Sequence, residues 1–353
     1  MTTTLEATER KQVRMPENSG NTPDTFHNSP KSLNMLEETK YNRRHFLGGA
    51  ALTLAAATLP VHVKGATPLK QRSKNATNNF ITVGSENSKS IDLYYEDLGA
   101  GQPVVLIHGW PLSGASWEKQ TAALLAAGRR VITYDRRGFG SSSKPSIGYN
   151  YDTFAADLNA LLTTLDLQKV DLVGFSMGTG EVARYIGKYG SARVRKTVLI
   201  GTLGPYLVKT ADNPEGVGSS VFEGIKAAIK ADRPAFLLDF LHNFYNYDVT
   251  AGKLVSERVV EANWNVAVQA SAIGTLKCVD AWVEDFRKDI ARNDVPTLII
   301  HGDADRILPP DATSRRQAKM IKDVKFVELP GGPHGVLWTH ADQVNKELLS
   351  FLK

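Results

Sequence analysis

The chain of 353 residues is poor in cysteine, with Cys278 as its single example. It can therefore form no intrachain disulfide and holds no cysteine-based metal site. We predict that Cys278 is a small, buried hydrophobic side chain. An excess of one charge is also missing, because 42 Lys and Arg face 37 Asp and Glu. Residues 1–66 hold eight basic and six acidic side chains, and the other 34 and 31 are spread along the chain. Without a basic patch, nucleic acid is not an expected partner.

The first 66 residues differ in composition from the rest. Residues 1–40 are polar and show no hydrophobic period, so we expect them to be disordered. Arg43 and Arg44 then precede Phe46, Leu47 and an apolar segment rich in Ala and Gly. This order resembles a twin-arginine export signal.

The apolar segment has roughly sixteen residues, which is too short for a stable membrane span after processing. We expect cleavage near Gly65 or Ala66 and export of the folded protein to the periplasm. The alternatives are a cytoplasmic protein in which this segment is not a signal, or an uncleaved anchor.

From residue 79 onward, strand and helix patterns alternate. Eight segments have the apolar or alternating pattern of strands, namely 81–83, 91–95, 103–107, 130–134, 170–175, 194–200, 296–302 and 325–329. Helices are predicted near 116–127, 152–165, 177–189, 311–321 and 341–352. This alternation predicts an α/β fold in residues 67–353, with a mostly parallel sheet of eight strands.

One long segment, about 205–290, interrupts the alternation and has a helical pattern throughout. It is predicted to form a helical cap inserted into the α/β domain. Aromatic side chains are frequent there: Phe240, Phe244, Tyr245, Tyr247, Trp264 and Trp282. As a group they are expected to line an apolar pocket above the strand ends, where open α/β sheets bind ligands.

A candidate nucleophile, Ser176, lies between a predicted strand and a predicted helix. It is the centre of the run Gly174-Phe175-Ser176-Met177-Gly178. A G-x-S-x-G run at such a turn holds a serine hydroxyl above the sheet, because its glycines permit a tight and strained backbone.

A serine hydroxyl needs a base within hydrogen-bond reach, and five histidines follow residue 66. His334 is predicted as the base because it lies in a Gly- and Pro-rich loop directly after the last strand. The other four are interpreted as structural or surface residues: His108, His242, His301 and His340. Of these, His108 and His301 lie at strand ends, where ring hydrogen bonds to nearby loops are expected.

The base needs a carboxylate to fix its tautomer, and the loop after residue 302 offers Asp303 and Asp305. Asp305 is predicted for this role because it lies deeper in the loop that turns toward His334. Asp303 is assigned a turn or helix-cap role.

Two backbone amides are predicted to bind the oxyanion, those of Trp110 and Met177. Met177 follows the serine at the start of a helix, and Trp110 lies in the loop after the third strand. Asp135, Arg136 and Arg137 follow the fourth strand. Their charges are compatible with a charged substrate site, but a tight loop held by the aspartate is the favoured interpretation.

Four motifs together carry a specific likeness: His-Gly-Trp-Pro-Leu-Ser-Gly from residue 108, Tyr-Asp-Arg-Arg-Gly-Phe-Gly from 134, Gly-Phe-Ser-Met-Gly from 174 and Gly-Gly-Pro-His-Gly from 331. They resemble those of the non-haem bacterial haloperoxidases, also called chloroperoxidases or perhydrolases, of the α/β-hydrolase fold. The likeness extends from about 80 to 352 and leaves out the export signal. Members are usually cytosolic, so the signal is a departure.

The resemblance implies hydrolysis of small acyl and aryl esters through an acyl-serine. It also implies perhydrolysis, in which hydrogen peroxide replaces water and the released peracid oxidises halide. No haem, other cofactor or metal is implied. Pro111, after the oxyanion-loop Trp110, is similar to the perhydrolase-competent members.

Expected partners are therefore a small ester or carboxylic acid, hydrogen peroxide and halide, and a homo-oligomer is compatible with the sequence. Two alternatives stay open at this point. One is a lactonase or carbon–carbon bond hydrolase on the same triad, and the other is a non-catalytic binding protein on a hydrolase scaffold.

Overall fold

The computed structural model of the protein describes residues 79–353. The predicted disordered segment and export signal in residues 1–66 lie outside the described residues. The strands are β1 (Phe80–Glu86), β2 (Lys89–Leu98), β3 (Pro103–Ile107), β4 (Arg130–Tyr134), β5 (Val170–Phe175), β6 (Val194–Ile200), β7 (Thr297–Gly302) and β8 (Val324–Leu329).

These strands form one sheet in the order β1-β2-β4-β3-β5-β6-β7-β8. The pairs β1–β2 and β2–β4 are antiparallel, and the remaining five pairs are parallel. All six residues of β5 and of β7 are buried, as expected for central strands covered by helices on both faces. The predicted eight-stranded, mostly parallel α/β sheet is confirmed.

Eleven α-helices are assigned in the described range: α1 (Glu118–Ala126), α2 (Tyr151–Thr164), α3 (Met177–Tyr189), α4 (Ser219–Tyr245), α5 (Tyr247–Thr250), α6 (Glu257–Val268), α7 (Ala272–Trp282), α8 (Arg287–Ile290), α9 (Ser314–Ala318), α10 (Val336–Thr339) and α11 (Ala341–Phe351). A 3₁₀ helix (Gly114–Trp117) precedes α1. No helix in this part of the chain is long and apolar enough to cross a membrane.

Two helix predictions were too long. The helix predicted at 311–321 is only α9, since the amides of Thr313 and Arg315 both bond the carbonyl of Pro310 in a turn. The helical pattern predicted throughout 205–290 is interrupted between α7 and α8. There the Phe286 amide donates to the carbonyl of Pro205, which ties the chain to the start of the cap.

The cap segment between β6 and β7 contains α4 to α8, and its longest helix is kinked. Asp232 has non-helical angles, φ −154° and ψ 89°, and its carboxylate accepts a hydrogen bond from the Ala235 amide at 3.0 Å. Asp232 therefore caps the second half of α4, and Pro234 lies in the first turn of that half, where its missing N–H is tolerated.

Cys278, on α7, is buried as predicted, with no exposed surface. Burial raises the pKa of its thiol to about 12. The side chain is therefore a packed apolar group at neutral pH.

Candidate active site

The turn between β5 and α3 holds Ser176 in a strained conformation, with φ 52° and ψ −120°. A positive φ is rare for residues other than glycine and is found where the surrounding structure enforces it. Here close packing of the backbone at the two flanking glycines holds Ser176 in this conformation. A Cβ on Gly174 would lie 2.6 Å from the carbonyl oxygen of Gly178, and one on Gly178 would lie 2.3 Å from that of Ile107. Both glycines of the motif are thus required by backbone contact.

Ser176, His334 and Asp305 are brought together in one buried hydrogen-bonded chain. The Oγ of Ser176 lies 2.8 Å from Nε2 of His334, and Nδ1 of His334 lies 2.6 Å from Oδ2 of Asp305. The three residues are between 1% and 7% exposed. The geometry allows His334 to take the serine proton while Asp305 holds the ring by its other nitrogen.

The loop after β7 is built around Asp305. Its Oδ1 accepts hydrogen bonds from the amides of Ile307 and Leu308, both at 2.8 Å. Burial by itself raises the pKa of Asp305, but the charge of His334 and the side-chain hydrogen bonds hold that pKa well below its usual value. Asp303 is exposed and accepts from the amide of Gly331 at 2.7 Å, which is a turn contact.

Aromatic rings enclose His334 on two sides. Its ring centroid lies 5.1 Å from that of Phe175 on β5 and 5.0 Å from that of Phe244 on α4. The carbonyl of Phe244 also accepts from the amide of Gly335 at 2.8 Å. The cap thus covers one side of the His334 ring. In the sequence, the high aromatic content of the cap was the only indication of this contact.

The two predicted oxyanion residues lie on either side of the serine. Met177 is the first residue of α3, and Trp110 follows β3, with both side chains buried. A Cβ on the neighbouring Gly109 would lie 2.9 Å from Cβ of Ser176, so the Trp110 loop passes directly beside the serine. Within residues 79–353, neither amide donates a hydrogen bond. Both are thus available to an oxyanion.

His108 holds the Trp110 loop to the end of β4. Its Nε2 accepts from the Arg136 amide at 3.0 Å and its Nδ1 lies 2.8 Å from the carbonyl of Gly109. Burial, reinforced by the charge of Arg136, lowers the pKa of His108 well below its usual value. The ring is therefore neutral, with the structural role that the sequence predicted.

The loop at 135–137 is structural, as favoured from the sequence. Asp135 accepts from the amides of Gly114 and Ser141, both at 2.8 Å. The two arginine side chains point into the protein and are at most 5% exposed. Arg136 pairs with Glu181 at 2.8 Å, and Arg137 pairs with Asp157 at 2.6 Å.

One contact near the triad was not foreseen. His301, at the end of β7, was predicted to bond a nearby loop, and its Nε2 does lie 2.8 Å from the carbonyl oxygen of Leu308. The same atom also lies 3.1 Å from Oδ2 of Asp305. No sequence pattern shows this contact, because it depends on how the chain turns between residues 302 and 305.

A cavity of about 310 Å³ lies over Ser176, between the cap and the loops that follow the strands. Its walls are mainly apolar and include Trp110, Leu207, Phe222, Ile225, Phe236, Phe240 and Trp282. Of the six cap aromatics expected to line a pocket, Phe240 and Trp282 do so. The other four have different contacts, for example the Trp264 Nε1 bond to the carbonyl of Pro234.

Among residues 79–353, no group of three or more His, Cys, Asp or Glu side chains is arranged to hold a metal ion. Within the same residues, the side chains of Ser176 and His334 are hydrogen-bonded to no ionisable group outside the chain that runs from Ser176 to Asp305.

A strained serine between a parallel strand and a helix, with its histidine and aspartate on loops after later strands, defines the α/β-hydrolase class of enzymes. A model of the α/β hydrolase fold matches residues 102–341. A Synechocystis sp. protein, provisionally named a non-haem chloroperoxidase, is 64% identical over 274 residues, covering 78% of this chain and 99% of its own. A bifunctional esterase/perhydrolase of Acinetobacter calcoaceticus is 35% identical over 267 residues, covering 74% and 96%.

The fold is also similar to solved structures. The crystal structure of a bromoperoxidase from Bacillus anthracis matches with a TM-score of 0.74 and 50% identity, covering 77% of this chain and 98% of the other. The chain therefore belongs to the α/β-hydrolase family, within its non-haem haloperoxidase subfamily. The resemblance of the four motifs is confirmed.

Proposed function

We propose that this enzyme hydrolyses small carboxylic and aryl esters through an acyl-serine and that hydrogen peroxide can replace water in the second step. The observation that carries the proposal is the hydrogen-bonded chain from Ser176 through His334 to Asp305 beneath an apolar cavity. Ser176 is the nucleophile, His334 the general base and acid, and Asp305 the residue that orients His334. The amides of Trp110 and Met177 bind the oxyanion.

In the first half-reaction, Nε2 of His334 takes the proton of Ser176 while Oγ attacks the acyl carbon. The negative charge that develops on the carbonyl oxygen is stabilised by the two amides. When the carbon–oxygen bond to the alcohol breaks, His334 returns the proton to the leaving alcohol. Because the pKa of Asp305 is held low, its carboxylate stays ionised and stabilises the imidazolium throughout.

In the second half-reaction, His334 removes a proton from water or hydrogen peroxide, which attacks the acyl-serine. Ser176 leaves with that proton, and the product is a carboxylic acid or a peracid. A released peracid can then oxidise a halide ion outside the cavity. Support for the peroxide branch comes from the esterase/perhydrolase name of the Acinetobacter relative and from Pro111 after Trp110.

Ser176→Ala tests the nucleophile. Its kcat/KM for p-nitrophenyl acetate is expected to fall by at least about a thousandfold, because no acyl-enzyme can form. Ser191→Ala is the matched control, since Ser191 precedes β6 at the opposite end of the strands from the site. Full activity in Ser176→Ala would contradict the proposal, as would a wild-type enzyme that fluorophosphonate leaves unlabelled. Assays with and without peroxide, with peracid measured directly, separate the two second steps.

We also propose that residues 1–66 form the disordered leader and twin-arginine export signal, and that residues 67–353 form the α/β-hydrolase domain found in the periplasm. Support comes from Arg43 and Arg44 before a short apolar segment, and from the relatives, whose match to this chain leaves about a fifth of it uncovered. N-terminal sequencing of the periplasmic form is expected to begin near residue 66. A double Arg43→Lys, Arg44→Lys variant should stay in the cytoplasm, whereas unchanged export would contradict the proposal.

A further inference from the structure

His301 is a fully buried histidine that faces two acceptors with one nitrogen. Its Nε2 lies 2.8 Å from the carbonyl oxygen of Leu308 and 3.1 Å from Oδ2 of Asp305. A carbonyl and an ionised carboxylate can only accept hydrogen bonds. The ring hydrogen must therefore lie on Nε2, and it is shared between the two oxygens.

The Asp305 carboxylate consequently receives four hydrogen bonds, two on each oxygen. The amides of Ile307 and Leu308 bond Oδ1 at 2.8 Å, and Nδ1 of His334 shares Oδ2 with His301. Each oxygen is held from two directions, so the carboxylate plane has no free rotation. His301 is the only side chain besides His334 among these donors.

Packing alone does not explain a histidine at this position. The Nδ1 of His301 is buried and has no partner among residues 79–353. A buried polar atom without a partner is destabilising, so a site that needed only volume would favour an apolar side chain. What the histidine provides is the pair of contacts made by Nε2.

We propose that His301 is a positioning residue for the triad. Its Nε2–H, anchored on the carbonyl of Leu308, holds Oδ2 of Asp305 in line with Nδ1 of His334 and withdraws electron density from that oxygen. The carboxylate then orients the base without binding the imidazolium too strongly. The kinetic part of this inference rests on the proposed function, whereas the geometric part does not.

The polar side chains at the proposed contact come from four places in the fold. His301 comes from β7, Asp305 from the loop after β7, His334 from the loop after β8, and Ser176 from the turn after β5. The rings of Phe175 and, on α4, Phe244 also lie beside the His334 ring, as does the backbone of Gly201, and none of these carries a charge. Asp305 contacts both histidines through the same oxygen, Oδ2. Replacing His301 can therefore alter the interaction between Asp305 and His334 directly.

The test compares His301→Leu, which removes the donor, with His301→Gln, whose amide can place an N–H near the same position. For ester hydrolysis, kcat/KM of His301→Leu is expected to fall about tenfold, mainly in kcat, and His301→Gln is expected to recover most of the loss. The acid limb of the pH profile should move up by about half a pH unit in His301→Leu, since Asp305 then holds the protonated His334 more tightly.

Thr297→Val is the matched control for lost stability. Thr297 lies at the other end of β7, fully buried, and its Oγ1 bonds that of Thr197 at 2.8 Å. It should lower the melting temperature without moving the pH profile. If His301→Leu does not fold, His301→Asn, whose shorter side chain does not reach Oδ2, takes its place.

A measurement without substrate completes the test. The downfield proton NMR signal of His334 Nδ1–H is expected to move in His301→Leu and to return in His301→Gln. An unchanged signal and an unchanged acid limb in His301→Leu would overturn the inference. A wild-type enzyme without ester hydrolysis would overturn the proposed function instead, and the NMR signal would then decide the role of His301 by itself.

Discussion

Asp305 shows how a single side chain combines orientation and charge. Its carboxylate is buried, accepts four hydrogen bonds and has a pKa held well below the usual value for an aspartate. In the unfolded chain that pKa returns to about 4. The ionised group therefore stabilises the fold at pH values above about 4, and this contribution is lost as the pH falls toward the folded-state pKa.

Asp305→Asn is expected to lower kcat roughly a thousandfold or more, because an amide can hold His334 in the wrong tautomer. It should also be less stable than the wild type at pH 7. Since only the wild type loses the contribution of an ionised Asp305, the difference should shrink as the pH falls below 5. Urea unfolding at pH 7, 5, 4 and 3 measures this. A difference in unfolding free energy that stays constant or grows toward low pH would contradict the assigned pKa direction.

The proposed site residues were all predicted from the sequence, and the structure places them around one position: Ser176, His334, Asp305, Trp110 and Met177. This was possible because each belongs to a local motif at the end of a strand. The His301 contact was not predictable, and the contact of Phe244 with His334 was indicated only by the aromatic content of the cap. The His301 contact depends on a loop whose turn has no sequence signature. The Phe244 contact joins two segments that lie far apart in the chain.

At the scale of elements, the kink in α4 has an assignable cause. Asp232 leaves the helical conformation and its carboxylate caps the second half of the helix through the Ala235 amide. The second half carries Phe236, Phe240 and Phe244, which line the cavity or pack on His334. The direction of this half-helix therefore determines the position of several site walls.

Asp232→Ala is expected to reduce the unfolding free energy by about 1 kcal/mol through loss of the cap. Asp232→Asn keeps a side-chain acceptor and should stay within a few tenths of a kcal/mol of the wild type. Chemical denaturation followed by circular dichroism compares the two variants. Equal stability of the alanine and asparagine variants would show that the hydrogen bond to Ala235 contributes nothing.

Strands were easier to predict than helices for a physical reason. Central strands such as β5 and β7 are buried on both faces and read as continuous apolar runs. Helix ends depend on tertiary contacts, such as the Phe286 amide bonded to Pro205 between α7 and α8. The α9 helix was overestimated for a local reason, because the chain forms a turn on the carbonyl of Pro310 before the helix begins.

At the scale of the whole molecule, the cavity lies between the cap and the loops at the strand ends, and its volume of about 310 Å³ suits a small ester. Alternation of strands and helices predicted the class of fold and the place of the insertion. The order of strands in the sheet could not be derived from alternation alone. The sequence also could not show which aromatic side chains of the cap face the cavity, because this depends on the rotation of each helix about its axis.

Ile225→Trp is expected to fill part of the cavity from the cap side, where Ile225 is half-buried. Hydrolysis of p-nitrophenyl acetate should change by less than about threefold, whereas that of p-nitrophenyl hexanoate should fall more than about tenfold. Val249→Trp, on α5 where Val249 is 55% exposed, is the control for adding an indole to the cap. Equal losses on both esters in Ile225→Trp would mean that the cavity does not bind the acyl chain.

The burial of Cys278 makes the enzyme's single thiol resistant to oxidation. With a pKa of about 12, on the order of one thiol in a hundred thousand is ionised at neutral pH, and the thiolate is the form that peroxide oxidises. The side chain also has no exposed surface, so reagents cannot reach the sulfur. While the enzyme stays folded, peroxide is therefore not expected to oxidise Cys278 to a sulfenic acid. For the experimenter, any cysteine introduced on the surface becomes the sole reactive point for a maleimide dye or spin label.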